Sequence, residues 1–76
     1  MSIQDFINNF AFQLDETDAS EITKNTIFKD LDEWSSLLAL SVIAMAEEEY
    51  GVSFKGDDIR NASTVEDLYM ILKNKL

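Results

Sequence analysis

Residues 34–51 read WSSLLALSVIAMAEEEYG, and the reading of this stretch decides the fold. Its apolar residues recur at helical spacing. With Ser36 set at zero and an advance of about 100° per residue, Leu38, Ala39, Val42, Ile43, Met45, Ala46 and Tyr50 fall on one broad side. That side is wide enough to meet two or three neighbours, so we expect the central helix of an all-α fold. Ser35 or Ser36 starts the helix, because a serine oxygen accepts from an N–H that the first turn leaves unpaired. Gly51 stops it as a left-handed C-terminal residue.

The opposite side is mixed and carries Leu37, Leu40, Ser41, Ala44, Glu47 and Glu48. Single exposed leucines are common, and glutamates often do no more than solvate a face. Two features argue for more. Leu37 and Leu40 are contiguous at i and i+3, with Ala44 continuing the row, so they form a patch. Glu47, Glu48 and Glu49 sit at the helix C-terminus, where the macrodipole opposes each negative charge by roughly 0.3–1 kcal/mol. A local rule broken without compensation marks a place to look for function. An apolar strip rimmed with acid suits a basic, apolar partner groove, the charges speeding encounter and the leucines supplying contact. The expected partner-binding residues are Ser35, Leu37, Leu40, Ser41, Ala44, Glu47 and Glu48.

Before this stretch, residues 2–14 read as a first helix capped by Ser2. Ile3, Phe6, Ile7, Phe10, Ala11 and Leu14 form its apolar stripe. Residues 15–33 form a long first loop, in which Ile22, Ile27, Phe28 and Leu31 are expected to pack down on the helices. Asp15 and Asp18 invite a calcium reading, but the loop lacks the glycine and the alternating ligands of an EF-hand. Trp34 precedes the serine cap and could staple the helix start, with only Ala39 as its partner. After Gly51, Val52 and Phe54 alternate with polar residues in an extended link. Residues 57–60 make one or two helical turns anchored by Ile59. Residues 63–74 form the last helix, opened by a Ser63–Glu66 capping box and buried through Val65, Leu68, Ile71, Leu72 and Tyr69. The sum is a small four-helix bundle of three main helices plus one short helix.

Composition narrows the function. A chain of 76 residues is expected to form one domain over 1–76, with little room for a deep preformed cleft. Fifteen acidic and six basic residues give a formal charge of −9, which repels nucleic acid and anionic lipid. There is no histidine and no cysteine. Disulfides, Cys/His zinc sites and Ser-His or Cys-His nucleophile pairs are therefore excluded, and thiol chemistry needs an imported thiol. No stretch is apolar for long enough to insert across a membrane, and MSIQDF is not a signal peptide, so the expected location is cytoplasmic.

The chain resembles the acyl carrier protein family, the phosphopantetheine-binding carrier domains. The residues that carry the resemblance are Ser36-Leu37, Glu47-Glu48-Glu49-Tyr50-Gly51, Ile22, Phe28, Leu31, and Ser63-Thr64-Val65-Glu66-Asp67-Leu68. The resemblance implies an acyl-carrier-protein-like bundle acting as a stand-alone, monomeric carrier. Ser36 would bear covalent 4′-phosphopantetheine, drawn from coenzyme A by a phosphopantetheinyl transferase. The arm's thiol would tether acyl or aminoacyl groups as thioesters in fatty-acid, polyketide or related biosynthesis. Loading, condensing and processing enzymes with basic docking surfaces would be the partners. The protein would be a substrate of other enzymes and no catalyst itself. A serine at a helix N-terminus suits this role, since unpaired N–H groups and the positive dipole end attract a phosphodiester. Asp30, Asp32 and Glu33 oppose that anion.

The sequence departs from the family at three places. Ser35 stands where the family usually has aspartate, and Leu38 and Ser41 stand where acids are common. The face is thus more apolar than in general fatty-acid carriers, which suggests specialised partners. Read on residues alone, Ser36 is more readily a plain helix cap, since serine is among the commonest caps. The alternative function is an unmodified, carrier-like adaptor that binds through the same helix.

Overall fold

Each helix begins where a side chain can accept the amides that helical bonding leaves open. The computed structural model describes residues 2–76. In it Ser2 Oγ accepts from Asp5 N (3.2 Å), and helix α1 runs over Ile3–Phe12. It ends two residues earlier than the stripe suggested. Gln13 and Leu14 turn off through bonds to Phe10 and Ala11, yet Leu14 stays buried. Helix α2 spans Ser36–Tyr50, α3 Gly56–Asn61 and α4 Val65–Lys75. The first loop carries two single 3₁₀ turns, Ala19–Glu21 and Phe28–Asp30. Among the described residues there is no strand, only an isolated bridge between Ile27 and Thr64. The all-α bundle with a long first loop is thus as expected.

The hub of the bundle is α1, and this corrects the sequence reading, which gave that place to α2. Helix α1 packs against α4, α2 and the first 3₁₀ turn, while α3 leans on α4. Phe6 and Phe10 are fully buried. The Phe6 ring meets Tyr50 of α2 (6.3 Å) and Tyr69 of α4 (5.8 Å). Phe10 meets Phe28 of the loop (6.0 Å) and Trp34 (6.3 Å). Large rings reach several neighbours at once, and burying each contributes about 1.5–3 kcal/mol. The α2 side chains are shorter. Val42, Met45 and Ala46 are buried, whereas Leu38, Ala39, Ile43 and Tyr50 are only partly covered. Asn9 Nδ2 donates to Tyr50 Oη (2.8 Å) and adds a polar tie between α1 and α2.

Two further expectations shift. Trp34 finds its aromatic partners beyond the helix start that it was expected to staple. Its ring stacks on Phe10 and meets Phe28 edge-on at 4.9 Å, because an indole gains more area in an aromatic cluster than against a methyl. The last helix starts one residue late, capped by Thr64 and Asp67 instead of Ser63 and Glu66. Thr64 Oγ1 accepts from Asp67 N, and Asp67 Oδ2 accepts from the amides of Ser63 and Thr64. The loop decides this register. Thr26 O accepts from Val65 N (3.1 Å) and Lys24 O from Glu66 N (2.9 Å), so the loop backbone seals the start of α4. That pairing also turns Ile27 outward, half exposed, while Ile22 and Phe28 are buried.

Gly51 ends α2 with φ +66°, and the amides of Gly51 and Val52 donate back to Glu47 and Ala46. The turn sends Val52 and Phe54 into the core. Among the described residues no helix is long and apolar enough to cross a membrane. A Cβ at Gly51 would meet open space, so the left-handed backbone alone sets its cost. Gly51→Ala is expected to lower the unfolding free energy by about 1 kcal/mol. Urea denaturation measures this, and a midpoint equal to the unaltered chain's would refute it.

Candidate functional site

Ser35 and Ser36 divide the start of α2 between them. Ser35 is extended (φ −155°, ψ 172°), and its Oγ accepts from Leu38 N at 3.3 Å. Its carbonyl accepts from Ala39 N at 3.0 Å. The bond to Ala39 is the first regular helical one, so the side chain satisfies one of the four amides that a helix start leaves open, that of Leu38. Those of Ser36 and Leu37 have no partner among the described hydrogen bonds. Ser36 is the first helical residue, and its side chain is exposed without a hydrogen-bond partner among the described residues. Ser35 is the cap, and Ser36 is a free hydroxyl beside two open amides.

The other α-helices handle their positive ends differently. The first turn of α1 holds Asp5, that of α3 holds Asp57 and Asp58, and that of α4 holds Glu66 and Asp67. The first turn of α2 holds no acid. In a chain with fifteen acidic residues, one helix start is left uncompensated, and it is the one that bears the exposed serine. A positive dipole end with open N–H groups is an anion site. The residues present therefore fit an anionic group on Ser36 Oγ, held by the Ser36 and Leu37 amides.

The surroundings are acidic. Asp30 and Asp32 are exposed nearby. Glu33 has a role the sequence did not disclose. Its carboxylate accepts from Asp15 N (2.8 Å), Glu16 N (3.0 Å) and Thr17 Oγ1 (2.6 Å). It clamps the start of the long loop against the residues that precede the cap. The Thr17 hydroxyl, then the Asp15 and Glu16 amides, hold its pKa below the ordinary glutamate value. No local pattern reveals this clamp, because the partners lie 16 to 18 residues away. Asp18 caps the turn at Ala19–Glu21 instead of gathering with Asp15.

From Ser36 the exposed strip of α2 runs along the helix. Leu37 is 74% exposed and Leu40 61%; Ala44, Glu47 and Glu48 are also exposed, and Ser41 is half-covered. Glu47 accepts from Ser53 Oγ (3.2 Å). Neither ion pair seen among the described residues, Arg60–Asp57 or Lys75–Asp58, involves the three glutamates, and the last turn of α2 has no base. The negative end of this helix is thus reinforced, as its positive end is left open. A shallow groove beside the strip is lined by Gln13, Asp15, Glu16, Glu33, Ser35, Leu37, Leu38 and Ser41.

The model of the family described as "phosphopantetheine attachment site" matches residues 8–70, most of the chain. No curated protein matches the chain.

The two serines are expected to separate in stability measurements. Ser35→Ala, which removes the cap, lowers the unfolding free energy by about 1 kcal/mol. Ser36→Ala changes it by less than about 0.5 kcal/mol. The reverse order in thermal or urea unfolding would overturn the assignment. For Glu33 the folded pKa lies below the unfolded value. The clamp's contribution is therefore complete above the unfolded pKa, about 4.3, and disappears as pH falls through the folded value. Glu33→Gln is expected to speed amide exchange at Asp15 and Glu16 at neutral pH. In the unaltered chain those two amides are expected to speed up as pH drops below about 4.3, after correction for intrinsic exchange. Unchanged exchange in both experiments would remove the clamp.

Proposed function

The chain belongs to the phosphopantetheine-attachment family of carrier proteins, whose members bind 4′-phosphopantetheine covalently, and on that premise we propose that Ser36 is its attachment residue. The observation that carries this is the start of α2: an exposed hydroxyl, two open amides and no acid in the first turn. Ser36 Oγ takes the phosphopantetheinyl group from coenzyme A on a phosphopantetheinyl transferase. A P–O bond to serine forms, the P–O bond to the nucleotide bisphosphate breaks, and the serine proton leaves to the transferase or solvent. The serine needs no base of its own, which fits a chain without histidine. Once attached, the group supplies a thiol that can hold acyl or aminoacyl cargo as a thioester, in a chain that has no cysteine.

The residues of the chain bind and present; none performs a reaction of its own. The Ser36 and Leu37 amides would hold the phosphodiester, and Ser35 fixes the helix start through its bond from Leu38 N. Leu37, Leu40, Ser41, Ala44, Glu47 and Glu48, with Ser35, form the face offered to loading, condensing and processing enzymes with basic docking surfaces. The pathway class is fatty-acid, polyketide or related biosynthesis. The absence of acid at Leu38 and Ser41 suits a dedicated enzyme set.

The test is intact mass after incubation with coenzyme A, magnesium and a broad-specificity transferase. One phosphopantetheinyl adduct is expected, absent in Ser36→Ala. No adduct on the folded chain, or one that survives Ser36→Ala, would overturn the assignment. A chain that stays unmodified yet still binds a partner through α2 would be an adaptor instead.

A further inference from the structure

Phe12 ends α1 with its ring 85% exposed, more than any other large apolar side chain among the described residues. It lies off the buried stripe of Phe6, Ile7, Phe10 and Ala11, so burial within the fold does not account for it. The ring borders a groove between α1 and α2 lined by Asn9, Phe12, Gln13, Met45, Glu48 and Glu49. Gln13 also lines the groove that reaches Ser35, Leu37 and Ser41. Gln13 thus lines both depressions, which together we call the seam, from beside Ser35 to the acidic end of α2.

Charge along this seam has one sign. All six basic residues are Lys24, Lys29, Lys55, Arg60, Lys73 and Lys75, so α1 and α2 contain none. Glu48 and Glu49 rim one end of the seam, and Asp15, Glu16 and Glu33 rim the other. Apolar contact is offered by the exposed Phe12 and Leu37 and the half-covered Leu38. That pattern complements an apolar row flanked by Lys or Arg. A second copy of the chain, itself at −9, is repelled. A partner strand has no sheet to extend among the described residues. From Leu37 to Glu49 the helical rise is about 18 Å, room for roughly three turns of a partner helix laid in the seam.

We propose that the α1–α2 seam, with Phe12 as its knob, is a docking site for a cationic amphipathic helix of a partner protein. This deepens the docking role given above to α2 and rests on it only in taking that helix as partner-facing. The contact surface becomes two-sided, α2 supplying the acidic rim and α1 an aromatic anchor. Aromatic anchors at the centre of a contact carry a large share of its energy.

The test uses the isotope-labelled full chain as Ser36→Ala, so that no modification enters the result. The probe is a synthetic Leu/Lys helix about 15 residues long, against a scrambled isomer of the same composition. Amide shifts are expected to centre on Asn9, Phe12, Gln13, Met45, Glu48 and Glu49. Phe12→Ser is expected to weaken the probe's Kd by roughly tenfold, with unfolding unchanged because the ring is exposed. Met70→Ser, at a half-exposed site on α4, is expected to leave the Kd unchanged. Equal binding by the scrambled isomer, equal Kd for Phe12→Ser, or shifts centred away from the seam would each overturn the proposal. Transferase-dependent adduct formation on the Phe12→Ser chain reads the assignment of Ser36 alone, so the two can fail separately.

Discussion

The contact on which the start of α2 depends is the aromatic cluster of Phe10, Phe28 and Trp34. Each ring comes from a different part of the chain: the hub helix, the second 3₁₀ turn of the long loop, and the residue before the serine cap. Phe10 and Phe28 are fully buried, so the cluster is core. Trp34 is two residues from Ser36. Locking its indole against Phe10 fixes where the chain can turn into α2, and so where the exposed serine emerges. The Glu33 clamp works from the adjoining residue, drawing residues 15–17 against the same junction. An apolar lock and a polar one, side by side, position an exposed hydroxyl that makes no hydrogen bond among the described residues.

That freedom suits the proposed function. A residue proposed to take a covalent group gains nothing from being tied into its own protein. The cap is delegated to Ser35, so the usual cost of altering a capping residue does not fall on Ser36. The uncompensated helix start supplies backbone amides that attract an anion without a positively charged side chain. No lysine or arginine lies anywhere in 30–54, so the site relies on the backbone alone. The same stretch, free of bases, leaves the partner face uniformly negative. One compositional choice thus serves both the proposed attachment point and the proposed docking surface.

Much of this was readable in the chain. The α1 stripe, the Ser2 cap, the Gly51 stop and the burial of Val42, Met45 and Ala46 follow from local periodicity and capping chemistry, which act over four residues or fewer. The exposure of Leu37, Leu40 and Ala44 follows from the same helical wheel. What was misread depends on distant partners. The hub was placed in α2 because that helix has the longest apolar run, yet reach favours the phenylalanines of α1. The cap of α4 moved by one residue because loop carbonyls at Lys24 and Thr26 meet the amides of Glu66 and Val65. Trp34 packs on Phe10 of α1 as well as on nearby Phe28.

By itself, then, the sequence determined an all-α chain, a serine at the head of an amphipathic helix and an acidic, cysteine-free surface, because helix periodicity, side-chain capping and net charge are local or additive properties. Only the tertiary structure decided which serine caps and which stays free, that Glu33 clamps the loop, and that Phe12 stands exposed beside the acidic end of α2. Those facts turn on which groups meet across the fold. Such meetings are set by the packing of a few large rings and the pairing of backbone amides, neither of which leaves a period in the chain.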